Sequence, residues 1–436
     1  MSVTPPAPSR AATYRAVLRT PRSRRPFAAA MLGRLSYGMV PLALILTIQD
    51  ATGSYATAGG AMALFGLTSV LLSPARAALI DRHGARCALP PMAVAYAVLL
   101  VALAAVTRWP DAPDALLVGA AAVAGACTPP LGPVVRAVWS RLLSDRQLLQ
   151  RAYSLDGVAE ELLYVSGPLL AGLLAAVLLP AAGLVAGAAL VLVGGLGLAT
   201  SAAVREADAA PADAVREEGA PRASSGRRRP VVRALRAPIA AAAGLGLCIG
   251  AVELLVVAFA DQHDRAAAVS WVLAALSAGS AVGGLAYGAV NWRVPERVRL
   301  PLLVAGLGLA LAPAGLSPHL YVLIGAAGLA GIFVAPALTT AYLIADGSVP
   351  DRDRTRAGAW VNTAFNAGAS AGAAAFGLLV GRVPLAVCFA LAAAPVLLAA
   401  AVSITRPRAG KRPEPTSSRS GPVAGTANEP STAPVS

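Results

Sequence analysis

Charged residues are scarce: they make up 13% of the 436 positions, about half the ~25% usual in a soluble domain. A water-facing surface of ordinary composition cannot be built from so few. Lysine is nearly missing, since of 36 Lys+Arg only Lys411 is a lysine; that bias reads as genome composition and carries no functional weight. The four cysteines, Cys87, Cys127, Cys248 and Cys388, stand far apart with no C-x-x-C pair or Cys/His cluster. Neither a disulfide framework nor a bound metal is expected. Aromatic residues are 5%, so a cage for organic cations is not indicated. No G-x-x-x-x-G-K-S/T loop occurs, so ATP hydrolysis within this chain cannot drive it. What is abundant is apolar: 57% of the residues are hydrophobic and the mean hydropathy is +0.66. That excludes a soluble enzyme, a disordered chain and a disulfide-stapled secreted domain.

The apolar residues fall in windows long enough to cross a bilayer, which takes ~20 residues each. They lie near 27–49, 56–80, 88–107, 115–138, 154–178 and 181–203, then near 237–260, 267–290, 299–317, 319–344, 357–380 and 383–404. The first is interrupted by Arg34 and has no small-residue cleavage site, so it reads as a span and not a secretory signal. The expected fold is all-α, with twelve transmembrane helices in two six-helix bundles over 27–204 and 237–404. A cytoplasmic arm (1–26), a linker (205–236) and a tail (405–436) complete the chain, the last two reading as flexible.

Charge placement is an independent test of this map. Arg108, Arg265 and Arg382 lie on one side and Arg34 lies inside the first span; the other 32 basic residues fall on the opposite side. Because cytoplasmic loops carry the arginine excess, both termini and the linker are expected in the cytoplasm of a plasma-membrane protein. The arginines are spread over many short loops, as suits an anionic bilayer face and not nucleic acid.

The two halves echo each other weakly. Asp50 precedes Ile80-Asp81-Arg82 by about the interval that separates Asp261 from Asn291-Trp292-Arg293. With six spans on each side, this suggests parallel repeats. Here the chain resembles the major facilitator superfamily of secondary transporters. LIDRHGAR (Leu79 to Arg86) looks like its loop signature, with Asp81, Arg82, Gly84 and Arg86 matching and Ala77 and Ala85 departing from it. SGPLLAG (Ser166 to Gly172) resembles its antiporter signature through Gly167, Pro168 and Gly172, although Leu163 replaces an earlier glycine. The stretches from Arg151 to Leu174, Gly33 to Leu44 and Gly250 to Ala260 are also similar to uncharacterised actinobacterial-type members. The resemblance implies an alternating-access carrier, with the first motif a gating loop and the second a site of helix bending and close packing. It also implies that Asp81 approaches the start of the eleventh span, near Thr355 and Arg356, when the cytoplasmic side is closed.

Charges inside the spans are costly, ~2.5–3.5 kcal/mol on insertion scales, and therefore face partners or cavities. Arg34, Glu160, Glu161 and Glu253 are of this kind, and Asp156 lies one turn before Glu160 near the cytoplasmic end. Arg34 and Glu161 sit at equal expected depth, so Arg34 is expected to pair with Glu160 or Glu161; the pair serves either as a lock between helices or in coupling. Glu253 has no cation at its depth and is expected to carry protons. In the eleventh span, Asn362 and Asn366 belong to a polar stripe with Thr363 and Ser370, lining a path or bonding to a neighbouring helix. Gly246/Gly250, Gly279/Gly283 and Gly284/Gly288 read as packing faces.

The expected function is transport of a small molecule, with protons as the coupling ion in an exporter working as a monomer, without cofactor or metal. An uptake permease and a transport-inactive sensor remain alternatives. A membrane-embedded prenyl transferase would need aspartate-rich motifs; Asp111/Asp114 and Asp351/Asp353 are short loop pairs that do not look like them.

Overall fold

The computed structural model describes residues 14–109, 112–209, 235–263, 265 and 268–405. Proline and glycine punctuate it. Gly53, with φ +67°, ends the helix α2 (Arg24–Thr52) by turning its N–H back to Gln49, and the Ser54 hydroxyl accepts from the Thr57 N–H to start α3 (Tyr55–His83). Gly84, with φ +82°, makes the tight turn into α4 (Ala85–Val106). A side chain there would be strained and would also collide with the carboxylate of Asp208.

The window at 115–138 is not one uninterrupted helix. Thr128-Pro129-Pro130 breaks it into α5 (Asp114–Cys127) and α6 (Leu131–Leu142), because consecutive prolines supply no N–H to the ladder. Then follow α7 (Arg146–Val177) and α8 (Ala182–Ala199). In the second half come α10 (Arg236–Gln262), α11 (Ala268–Ala289) and α12 (Glu296–Leu311), the last running into a 3-10 turn (Ala312–Leu316). They are followed by α13 (Leu320–Asp346), α14 (Arg354–Leu379) and α15 (Leu385–Thr405). Two short helices flank the first half: α1 (Tyr14–Arg19) and α9 (Ala202–Ala209). The second reaches residue 209 and so enters the segment that the sequence reads as a flexible linker from 205. The rest of that segment, 210–234, and the tail beyond 405 lie outside the described residues.

Ten helical segments among the described residues are long and apolar enough to cross a membrane. The protein is thus an all-α polytopic membrane protein. The outward faces agree, since Leu71, Leu169, Leu173, Leu309 and Leu398 are all more than half exposed. Such a surface is stable against lipid tails and unstable against water.

Small residues set how closely the helices approach. Gly246 and Gly250 on α10 lie against the carbonyls of Phe365 and Ala369 on α14, while Gly368 and Gly372 on α14 lie against those of Ala243 and Leu247. Gly279 and Gly283 on α11 face Gly328 and Ile332 on α13 in the same way. Without hydrophobic driving force between helices in lipid, such backbone contact is what holds them. Contacts between the halves run mainly through α7 with α11 and α3 with α14.

Candidate functional site

Helix α7 carries the acids. Asp156 and Glu160 are four residues apart and share one face; Glu161 is turned about 100° from Glu160. The first face meets two arginines. Arg34 on α2 contacts Asp156 at 2.6 Å and Glu160 at 2.8 Å, and Arg136 on α6 contacts each of them at 2.8 Å. Both oxygens of Asp156 and both of Glu160 are therefore taken by separate guanidiniums. The result is an electrically neutral ring joining α2, α6 and α7. Asp156, expected near the cytoplasmic end, is completely buried.

Arg136 corrects the charge map. Counting by side places it with the arginine-rich loops, yet it is 4% exposed within α6. Arg76 and Arg299, counted on the same side, are likewise buried within helices. Arg34 pairs with Glu160 but not with Glu161, whose Oε1 instead accepts a 2.8 Å hydrogen bond from Ser280 on α11. The 100° rotation is the reason. The guanidinium of Arg136 also lies 3.9 Å from the ring centre of Tyr342 on α13, so the ring of charges touches the second half.

A cavity of about 410 Å³ lies between the halves. Its polar wall is Glu160 and Glu161 from α7, Glu253 from α10, Ser277 and Ser280 from α11, and Asn362 and Asn366 from α14. Glu253 has no hydrogen-bond or ion-pair partner among the described residues and is open to the cavity. Asn366 donates to the Asn362 carbonyl at 2.8 Å, while Thr363 donates to the Val70 carbonyl on α3 at 3.1 Å. The polar stripe of α14 thus serves both purposes, cavity wall and helix contact.

Toward the arginine-rich face the halves are tied together. Asp81 Oδ2 accepts a 2.8 Å hydrogen bond from the Arg356 N–H at the start of α14, where a carboxylate is favoured by the helix dipole. Arg146 pairs with Glu296 at 2.9 Å, Arg354 donates to Ser140 at 3.0 Å, and Arg151 donates to Asn291 at 2.7 Å. Tyr14 on α1 donates to the Leu285 carbonyl at 2.5 Å; burial pushes its phenol up to about 12, so it stays a donor. Among the described residues, no hydrogen bond or ion pair joins the halves at the opposite ends of the helices.

The remaining motif residues divide. Arg82 and Arg86 have exposed side chains, and the Arg86 N–H is capped by Asp208 at 2.8 Å. Gly167 lies on the backbone of Gly38 in α2, so a Cβ there has no room. Pro168 sits within α7, which continues to Val177. Gly172, expected to allow close approach, faces open space.

Sequence comparison matches the Major Facilitator Superfamily over residues 27–266 and 254–433. No curated protein sequence matches the chain. Among solved structures, it is similar to the human organic anion transporter MFSD10 (TETRAN), at 16% identity and a TM-score of 0.67, covering 88% of this chain and 99% of that one. It is also similar to a bacterial homologue of the iron transporter ferroportin in the outward-facing state, at 16% identity and a TM-score of 0.71, covering 88% and 98%. The same homologue with soaked iron gives 0.69 at the same identity and coverage. At such identities the likeness is one of fold.

Proposed function

Because the chain belongs to the major facilitator superfamily, it is a membrane transporter of small molecules, and we propose that it is a proton-coupled exporter working by alternating access. The observation that carries this reading is the cavity between the halves: it holds two carboxylates outside the neutral ring, Glu161 and Glu253, and the arginine-rich side beneath it is tied shut. A lone carboxylate facing a cavity inside a membrane is where a proton can be bound and released.

In this scheme residues 27–204 and 237–404 form two six-helix bundles, twelve spans in all, and the arginine-rich face is cytoplasmic. The two bundles rock about the cavity, breaking the cytoplasmic ties in one state and re-forming them in the other. Glu253 takes a proton from the outside when the cavity opens there and gives it up inside after closure. Glu161, bonded to Ser280 on the opposite bundle, links that exchange to the rocking motion. The ring of Arg34, Asp156, Arg136 and Glu160, in which every carboxylate oxygen is matched by a guanidinium, holds α2, α6 and α7 as one body and takes no part in carrying protons. Gly167, packed on Gly38, lets α7 lean on α2 during the motion. The carrier acts as a monomer in the plasma membrane.

Everted membrane vesicles containing the protein, offered a panel of labelled small molecules, test this directly. At least one compound should accumulate when a proton gradient is imposed and drain when the gradient is collapsed. Gradient-independent equilibration of every transported compound would contradict the coupling.

A further inference from the structure

Arg76 is buried and takes no part in the ring of charges. Arg76 lies on α3, five residues before Asp81, and is 7% exposed. No carboxylate is within ion-pair distance of it among the described residues, and the ionisable side chains that face it are Tyr37, Tyr96 and Cys127. What holds it is backbone. Its Nη1 donates to the carbonyls of Ala126 at 2.7 Å and Gly125 at 3.4 Å, and its Nη2 donates to that of Ser69 at 2.6 Å. Gly125 and Ala126 belong to the last turn of α5, where Pro129 and Pro130 supply no N–H four residues on; the Thr128 N–H meets the Gly125 carbonyl at 3.2 Å, and the guanidinium meets that of Ala126. These dipoles orient the guanidinium without cancelling its charge.

The side chain is also under-bonded. A guanidinium has five N–H groups, and the three carbonyl bonds leave the Nε–H buried with no partner. The edge carrying Nε and one Nη is the fork that fits a carboxylate. Arg76 lines a chamber of about 170 Å³ together with Tyr37, Ser69, Ser73 and Thr128, and this chamber shares Arg136, Glu160 and Asn366 with the central cavity. Since the ring of Arg34, Asp156, Arg136 and Glu160 is neutral in itself, Arg76 leaves this chamber with one unmatched positive charge. A guanidinium at such a place in a membrane protein is retained where it faces a cavity or a partner.

We propose that the chamber over Arg76 is an anion subsite of the transport path, with Arg76 as the binding residue for a singly charged group of carboxylate size. The inference rests on the reading of the central cavity as the transport path. The same chemistry is offered by the carboxylate of an organic substrate and by a free inorganic anion such as chloride. In the first case the rest of the molecule extends toward Glu161 and Glu253, and the cargo is an organic acid. An arginine that merely capped α5 would need only the carbonyls and would be indifferent to anions.

The test uses the purified full-length protein in detergent, with thermal unfolding followed against sodium benzoate and, separately, sodium chloride. At tenfold the half-saturating concentration, at least one salt should raise the midpoint by about 2 °C, and saturably. The rise should be lost in Arg76→Gln and kept in Arg82→Gln, whose side chain is exposed. Ser69→Leu fills the chamber and keeps every charge; it should lose the rise too, so the test survives if Arg76→Gln does not fold. A benzoate response that persists in saturating chloride, with its half-saturating concentration raised, assigns the subsite to a carboxylate. Saturation by chloride that abolishes the benzoate response assigns it to a resident inorganic anion. No saturable rise with either salt, or an equal rise in Ser69→Leu, overturns the proposal. Binding in detergent is independent of export direction and proton coupling, so either reading can fail alone.

Discussion

Truncating Asp81 should loosen the closed arginine-rich face by a calculable amount. Its Oδ2 accepts from the Arg356 N–H at 2.8 Å, across the boundary between the halves and at a helix N-terminus. A hydrogen bond to a charged group contributes about 1.5–3 kcal/mol, a figure that already contains the dipole contribution of ~0.3–1 kcal/mol. At 1.4 kcal/mol per factor of ten, Asp81→Ala should move the equilibrium toward the open face by about ten- to a hundredfold. The ties from Arg146, Arg354 and Arg151 remain, so the closed state persists as one of two populations. Asp81→Asn keeps an acceptor oxygen and should fall between. The assay is pulsed electron–electron distance measurement between spin labels on the exposed Cys87 and on Arg293→Cys, with the other cysteines replaced. Asp81→Ala should add a longer-distance population, and an unchanged distance distribution would show that Asp81 does not hold this face closed.

Gly167→Leu drives a side chain into the backbone of Gly38, an overpacking worth about 1–3 kcal/mol; transport should fall severalfold with the protein still inserted, whereas Gly172→Leu, facing open space, should transport normally. Arg136→Ala leaves Asp156 and Glu160 to share Arg34 alone, and breaking a buried pair costs about 3–5 kcal/mol, so the melting temperature should drop by several degrees, against little change for Arg82→Ala. Ala220→Cys, in the segment between the halves, should resist a membrane-impermeant maleimide added to intact cells and react once the membrane is opened; ready labelling of intact cells would invert the topology.

The spans were legible because apolar length is a one-dimensional property, and the windows need only a turn of correction at most ends. Where two prolines interrupt 115–138, hydropathy stays high although the helix does not continue, so α5 and α6 look like one element in a window average. The acids of the site were legible for the same reason: Glu160, Glu161 and Glu253 stand out against apolar neighbours. Their partners were less so. Arg136 and Arg76 lie inside apolar windows, but counting arginines by side assigns them to the nearest loop, and only packing reveals that they point inward. Glu161 illustrates a second limit. Equal depth with Arg34 permits a pair, yet rotation about the helix axis decides it, and that rotation turns Glu161 toward Ser280 instead. Asp81 with Arg356 shows the converse, a long-range contact suggested by a motif whose chemistry requires a helix N-terminus.

In the proposed mechanism a cavity carboxylate, and not the buried ring of charges, couples proton flow to transport. Comparing Glu253→Gln with Glu161→Gln in proteoliposomes, by gradient-driven accumulation and by substrate exchange at equilibrium, separates coupling from motion. Glu253→Gln should abolish accumulation while exchange continues near the wild-type rate, because the site no longer takes a proton but the halves still rock. Glu161→Gln should depress both, since its tie to Ser280 spans the moving halves. Full accumulation by Glu253→Gln, or loss of accumulation with intact exchange in Glu161→Gln alone, would rule Glu253 out as the coupling site.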